Sequence, residues 1–325
     1  MARGSCLSGQ TVAIALCGFS LLLVSGCGGG GGGDDTNQPF TAQILYSFGD
    51  KSNDALGPDG ALVQDKDGNF YGISSTGGTG GGHDGDHPAA GVIQANDGNF
   101  YGTAINYFEN SDGMVFELTP EGNLTRLHSF ASGPTDGAFP QGSLLLGSDG
   151  NVYGTTADGG LNNFGTVFKV TPDGVETVLH NFGGSPADGA APNYGVVQGA
   201  DGNLYGTTSN GGTKGYGTVF KLTPDGVETV LYSFSGTGDG AYPSTALVQG
   251  SNGNFYGGTY SGGVSTAGAT IFELTSAGVV TSLYSFPSAA NSVTNLVNGS
   301  DGNLYGTTYQ GGTHESGMFF RFRLN

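Results

Sequence analysis

Three stretches carry residue types whose spacing suggests chemistry. Asp65-Lys66-Asp67-Gly68-Asn69 begins like a calcium loop. An EF-hand-type loop needs a carboxylate twelve positions along, where this chain has Thr76. The equivalent turns Asn96-Asp97-Gly98 and Ser251-Asn252-Gly253 lack the paired carboxylates, so the segment reads as a turn. In His83-Asp84-Gly85-Asp86-His87 two histidines flank acidic residues, a set that suits a metal ion. Yet His87 occupies a slot filled elsewhere by Phe139, Ala191 and Tyr242. His128 and His180 stand where Tyr232 and Tyr284 stand, which marks an aromatic position in a strand, and His314 falls in a Gly-rich loop. His83 and His87 are the one His-x-x-x-His pair, and no Cys-x-x-Cys or further histidine accompanies it at metal-site spacing, so neither a dedicated metal site nor a cofactor is expected. Nucleophilic and acid–base signatures are equally thin. The chain has no Gly-x-Ser-x-Gly elbow, and its carboxylates recur with the turns rather than forming one distinct pair. No catalytic residue is singled out, although a set assembled across distant loops stays open.

Those residues are positioned by one repeated unit, clearest at 201–234, DGNLYGTTSNGGTKGYGTVFKLTPDGVETVLYSF. ALVQG (246–250) shows the first strand type and Asn203–Thr208 the second, with Asp-Gly or Asn-Gly between such segments as a strong hairpin signal. Gly217–Thr223 is the third strand and Val227–Phe234 the fourth, joined through Pro224-Asp225-Gly226. Alternation places Val230, Tyr232 and Phe234 on one side of the fourth strand and Val227 and Leu231 on the other. Both faces carry bulk, so each small sheet is expected to lie between neighbours.

The Gly-Asn that opens the second strand recurs at 68, 98, 150, 202, 253 and 302, with gaps of 30, 52, 52, 51 and 49 residues. The short gap lacks a third and fourth strand, leaving a two-stranded stub, Ala61–Gln64 and Asn69–Ser74. Residues 44–48 (ILYSF) are a fourth strand with no third before it, and Met318–Leu324 are a third strand with no fourth after it. The expected architecture is an all-β propeller of five four-stranded antiparallel blades plus the stub, closed by pairing 44–48 with 318–324. Closure of this kind removes exposed sheet edges.

The motifs DGNLYGTT, GGT…GTVFKLTPDG and ETVLYSF, in that fixed order over residues 44–325, resemble the GloVer-type tandem repeat of bacterial surface proteins. The resemblance implies a propeller-like repeat found with various anchoring signals. It implies no activity and supplies no functional residue. The truncated first unit departs from the pattern.

Before the repeats, residues 1–26 read as a lipoprotein signal peptide: Arg3, an apolar run from Val12 to Val24, then Leu23-Val24-Ser25-Gly26-Cys27, which resembles a lipobox. Cys27 would carry the lipid, with a cleaved ordinary signal peptide as the alternative. Residues 27–43, rich in glycine, form a flexible tether. Residue 28 is Gly rather than Asp, a resemblance that favours the outer membrane. Cys6 and Cys17 fall in the signal, so the mature domain has no cysteine to pair. Nine Lys+Arg against 27 Asp+Glu, a net charge of −18, argue against nucleic acid or anionic lipid surfaces as partners.

In a meander, alternate connections share a face. The tight turns fall on one side. The Thr-Thr-x-x-Gly-Gly and Asp-Gly-Ala-x-Pro loops fall on the other, the expected working surface. Its candidates are Tyr107, Phe108, Phe139, Phe164, Tyr216 and Tyr242, with Asp136, Asp188 and Asp239 near the blade junctions. For the Asp residues, shaping the loop is the favoured role. The expected function is a monomeric, non-enzymatic binding module of the cell envelope, tethered to the membrane by Cys27, with a glycan or an envelope protein as partner. The alternative is a propeller enzyme, a lyase or glycan-processing hydrolase with an axial site.

Overall fold

The computed structural model describes residues 24–25, 55–64, 69–77, 88–105, 112–265, 267–275, 277–287 and 290–324. Among these every regular element is a strand and every sheet is antiparallel. Six units follow one another. Unit A, the stub, pairs Ala55–Gln64 with Asn69–Gly77, and Val24–Ser25 add to the second of these strands. Unit B holds Ile93–Gln94, Phe100–Ala104, Met114–Leu118 and Leu124–Ser129, paired in chain order. Unit C runs Leu145–Leu146, Val152–Thr156, Thr166–Val170 and Glu176–Asn181. Unit D runs Val197–Gln198, Leu204–Thr208, Thr218–Leu222 and Glu228–Ser233. Unit E runs Val248–Gln249, Phe255–Ser261, Thr270–Leu274 and Val280–Ser285. Unit F has three strands, Val293–Asn298, Leu304–Thr308 and Met318–Phe322.

The turns form for the reasons legible in the residues. In unit C, Asp149 accepts from the Asn151 backbone (3.1 Å), the Asn151 amide (2.6 Å) and the Tyr153 hydroxyl (2.8 Å). Asp201 and Asp301 repeat the arrangement with Tyr205 and Tyr305. Gly150, Gly202 and Gly302 follow at φ 82°, 80° and 78°, which glycine accepts without strain. Strict alternation fails in the fourth strands. Units B to E each carry a bulge there, between the pairs Val115–His128 and Phe116–Arg126 in unit B, for example. The extra residue, Leu127, Leu179, Leu231 or Leu283, turns the strand, so Leu231 and Tyr232 pack into the same cluster instead of on opposite faces.

Between units, one contact repeats. A phenylalanine just past the fourth strand of one unit meets the edge of a phenylalanine in the third strand of the next: Phe130–Phe168 (5.1 Å), Phe182–Phe220 (5.2 Å), Phe234–Phe272 (5.2 Å) and Phe286–Phe320 (5.1 Å). All of these rings except the half-buried Phe320 are deeply buried, and they form the centre of successive inter-unit cores. Buried threonine hydroxyl pairs, Thr156–Thr166, Thr208–Thr218 and Thr259–Thr270, close the loop ends of the second and third strands at 2.8–2.9 Å.

The expected fourth strand of the last blade, residues 44–48, lies outside the described residues. Among those described, Met318–Phe322 pairs only with Leu304–Thr308. Its other edge borders a groove of about 560 Å³ lined by Tyr284, Phe286 and Phe320 among others. Units B to E are therefore described with all four strands, the sheet of unit E taking in Ala241–Pro243 as a fifth, and unit F with three.

Candidate functional site

The long connections share one side of the units and are tied to one another. Within unit C, Gly137–Ala138 of the entry loop pairs with Asp158–Gly159 of the loop after the second strand. Gly189–Ala190 with Asn210–Gly211, and Ala241–Pro243 with the end of Phe255–Ser261, do the same in units D and E. The variable residue of Asp-Gly-Ala-x-Pro then reaches back to the preceding unit. The Phe139 amide donates to the Asp112 carbonyl (2.6 Å), Ala191 to Phe164 (2.9 Å) and Tyr242 to Tyr216 (2.8 Å). To make this bond, Phe139, Ala191, Tyr242 and Ser292 of unit F all adopt φ between 51° and 56°. Non-glycine residues rarely take that conformation, and only the surrounding bonds hold it.

Just after each proline the chain turns toward the first strand, and these segments from four units converge. Ala89 and Ala90, Gln141 to Ser143, Asn193 to Gly195, and Ala246 line one cleft of about 370 Å³. Its walls are built by close backbone contact. A Cβ on Gly195 would stand 2.1 Å from the Ser143 carbonyl oxygen, and one on Gly142 would stand 2.5 Å from the Gly195 nitrogen. Thr155 Oγ1 donates to the Tyr194 carbonyl (3.2 Å), and Asn193 Nδ2 donates to Ser209 Oγ (3.1 Å). The lining differs from unit to unit although the scaffold repeats, and its polar groups are uncharged: Gln141, Ser143, Asn193 and Tyr194. Burial raises the Tyr194 hydroxyl above its ordinary value, which keeps it a neutral donor. None of the described lining residues is a carboxylate, histidine, lysine or arginine. The cleft suits orientation of a neutral polyhydroxylated ligand by hydrogen bonds. Among the described lining residues there is no pair of carboxylates or histidines of the kind that acid–base cleavage uses.

The residues singled out from sequence do not form one constellation. Tyr107 and Phe108 lie outside the described residues. Tyr216 and Tyr242 meet edge to face at 5.5 Å, and Tyr242 is 37% exposed. Phe164, 49% exposed, lies over Gly183, where a Cβ would come within 2.2 Å of its ring, and Phe139 is half-buried. Leu161, Tyr260, Val264 and Tyr309 on the same loops are also exposed, and the sequence reading missed them. It also missed Gln141, Asn193 and Tyr194. The available signal was that residues after a recurring proline vary while the register around them does not.

Asp136, Asp188 and Asp239 do shape the loops, and they meet other polar groups as well. Asp136 accepts from the Gly137 (2.8 Å) and Ala131 (3.0 Å) amides, and Asp188 from Gly189 (2.7 Å) and Gly184 (3.0 Å). His128 Nε2 stands 3.2 Å from Asp136 Oδ1, His180 Nε2 stands 3.6 Å from Asp188 Oδ2, and the Tyr232 hydroxyl donates to Asp239 at 2.9 Å. Burial raises both Asp136 and Asp188, but the histidine contact and backbone donors outweigh it and hold the carboxyls below their ordinary value. The histidines keep the aromatic role expected of them: His128 and His180 sit edge-on to Phe130 and Phe182 as Tyr232 does to Phe234. From the next unit, Glu176 joins His128 and Asp136, and Glu228 joins His180 and Asp188. Burial pushes Glu176 up to about 7 and Glu228 to about 6.

Among solved structures, the extracellular domain of a protein described as a one-component system of Bacteroides thetaiotaomicron is similar, with TM-score 0.54 and 13% identity over 83% of this chain and 32% of that one. The extracellular domain of a protein described as a hybrid two-component system of the same organism has TM-score 0.52 and 13% identity over 97% of this chain and 39% of that one. The chain thus spans about a third of the length of each. A gluconolactonase of Xanthomonas campestris scores 0.46 at 16% identity, covering 76% of this chain and 75% of that one. At these identities the likeness concerns the fold, a β-propeller of antiparallel blades. No curated protein matches the sequence. The family model of the Gloeobacter/Verrucomicrobia repeat matches residues 81–236 and 174–325, well over half of the chain, and the chain belongs to that family.

Proposed function

We propose that this protein is a non-enzymatic binding module of the cell envelope that holds a glycan in the cleft where the units converge. The carrying observation is the contrast within that cleft: a repeated scaffold presents unrepeated, uncharged hydrogen-bonding side chains, Gln141, Ser143, Asn193 and Tyr194, in about 370 Å³. That volume lies at the lower end of small-ligand sites, about 300–1,000 Å³. Sugar rings need such neutral donors and acceptors, and they stack on aromatic faces of the kind that Tyr242, Tyr260 and Tyr309 leave exposed on the long loops. In this reading the lipid on Cys27 and the glycine-rich tether hold the domain at the outer membrane.

A glycan array probed with the purified chain, followed by titration of the best hit, tests the reading. Tyr194→Ala and Asn193→Ala are each expected to weaken binding at least tenfold, because each leaves a buried ligand hydroxyl unpaired. Empty arrays would overturn the assignment, as would binding indifferent to both variants. Capture of an envelope protein at the same cleft would replace the glycan with a protein partner. Cys27→Ser is expected to move the protein from the membrane fraction to the soluble one.

A further inference from the structure

We propose that the two His–Asp–Glu clusters, at the junction of units B and C and at that of C and D, are sites for a divalent transition-metal ion such as Zn²⁺. Each cluster offers one imidazole nitrogen and two carboxylate oxygens, the histidine and aspartate close in sequence and the glutamate from the next unit, all within 4.8 Å of one another. A tetrahedral Zn²⁺ with bonds of about 2.0–2.1 Å sets its ligands about 3.3–3.4 Å apart. The His128–Asp136 and His180–Asp188 separations, 3.2 and 3.6 Å, bracket that value. Three protein ligands leave a fourth position for water, and one nitrogen with two oxygens suits a borderline ion better than Ca²⁺.

A second observation points to a ligand. Glu176 Oε1, Glu228 Oε1 and His180 Nε2 are shut off from solvent, and none has a hydrogen-bond partner among the described residues. Buried polar atoms are seldom left so, and one ion in each cluster would satisfy all three. The rise of both glutamates has the same origin, a carboxylate desolvated without a sufficient cation beside it.

A third observation comes from comparing junctions within the chain. Glu opens the fourth strand only where the preceding unit supplies His: Glu176 follows His128, and Glu228 follows His180. Where the preceding unit supplies Tyr232, the position is Val280, which packs into one apolar cluster with that tyrosine. Where unit A supplies no fourth strand among the described residues, the position is Leu124. His and Glu thus appear and disappear together, while the aspartate, also needed for the loop, stays at Asp239.

The test uses the purified full chain, stripped with a chelator, titrated with ZnCl₂ near pH 7.5 and assayed for bound zinc after dialysis. Co²⁺ serves as the optical probe of tetrahedral coordination. Two Zn²⁺ per chain are expected. His128→Tyr or His180→Tyr should leave one, and the double variant none. Tyrosine already occupies this slot at Tyr232, so the variants resemble a junction the fold tolerates. Glu176→Gln with Glu228→Gln keeps side-chain shape and should weaken binding at least a hundredfold, which covers the case of a misfolded tyrosine variant. The proposal is overturned if the wild type retains no zinc, if the double histidine variant retains as much, or if binding is lost only on replacing His83, His87 or His314. Ca²⁺ retained in place of Zn²⁺ would overturn the choice of ion.

Discussion

The junction between units C and D and the next one, between D and E, share their hydrophobic contact and differ in what surrounds it. Phe182–Phe220 and Phe234–Phe272 meet at the same 5.2 Å and the same 65°. Around the first, His180, Asp188 and Glu228 leave two polar atoms without partners. Around the second, the Tyr232 hydroxyl is satisfied by Asp239, and Val280 completes the apolar cluster. The ring contact is therefore what assembles neighbouring units. The polar shell is a separate layer that can be exchanged without moving it.

The largest effect should come from the shared part. Phe182→Ala and Phe234→Ala each remove a fully buried ring and should cost about 3–5 kcal/mol, equal to within about 1 kcal/mol, by urea unfolding of metal-free protein. A clear inequality would show that the polar shell helps to hold one junction. The next effect separates the shells. A carboxyl whose pKa is raised by folding costs nothing below its ordinary value and destabilises progressively as it ionises. For Glu228 the window runs from 4.5 to about 6, and for Glu176 from 4.5 to about 7. Without metal, Glu228→Gln should match wild type at pH 4 and melt higher at pH 8. His180→Tyr with Glu228→Val should remove this pH dependence and make the first junction behave as the second. Added Zn²⁺ should reverse the order at pH 8, wild type gaining from both sites and each variant only from the intact site between units B and C. Smallest is the loop: Ala191 holds φ 54° at one junction as Tyr242 holds 56° at the other. Ala191→Gly relieves that conformation but loosens the unfolded chain, for a net gain of under about 1 kcal/mol in thermal melts.

The units were legible because their signals are local. Asp-Gly-Asn, Thr-Pro-Asp-Gly and the apolar runs between them act over a few residues, and the observed hairpins fall where those signals stand. The leucine bulge left no such mark, since an apolar residue suits either side of a strand buried on both faces. The inter-unit clusters were invisible for another reason. His180 and Glu228 meet only once two sheets have packed, and no spacing rule spans that distance in sequence. The cleft escaped notice because Gln141, Asn193 and Tyr194 look like ordinary loop residues until four loops share one centre. Pairing of 44–48 with 318–324 rests on the sequence, with the edge of Met318–Phe322 that has no partner strand among the described residues, and the exposed Tyr284 beside it, as the place to be filled.

The repeating phenylalanine contact has a consequence for how such a gene changes. Every unit from B to E offers the same outgoing ring, and every unit from C to F the same receiving one. A misaligned recombination that keeps the register inserts or deletes a whole unit and joins surfaces that already fit, so no new interface has to evolve. Copy number is then free to drift while each seam stays intact. What does change with each added or lost copy is the number of loop segments available to line the shared cleft, and with it the size of molecule that can enter.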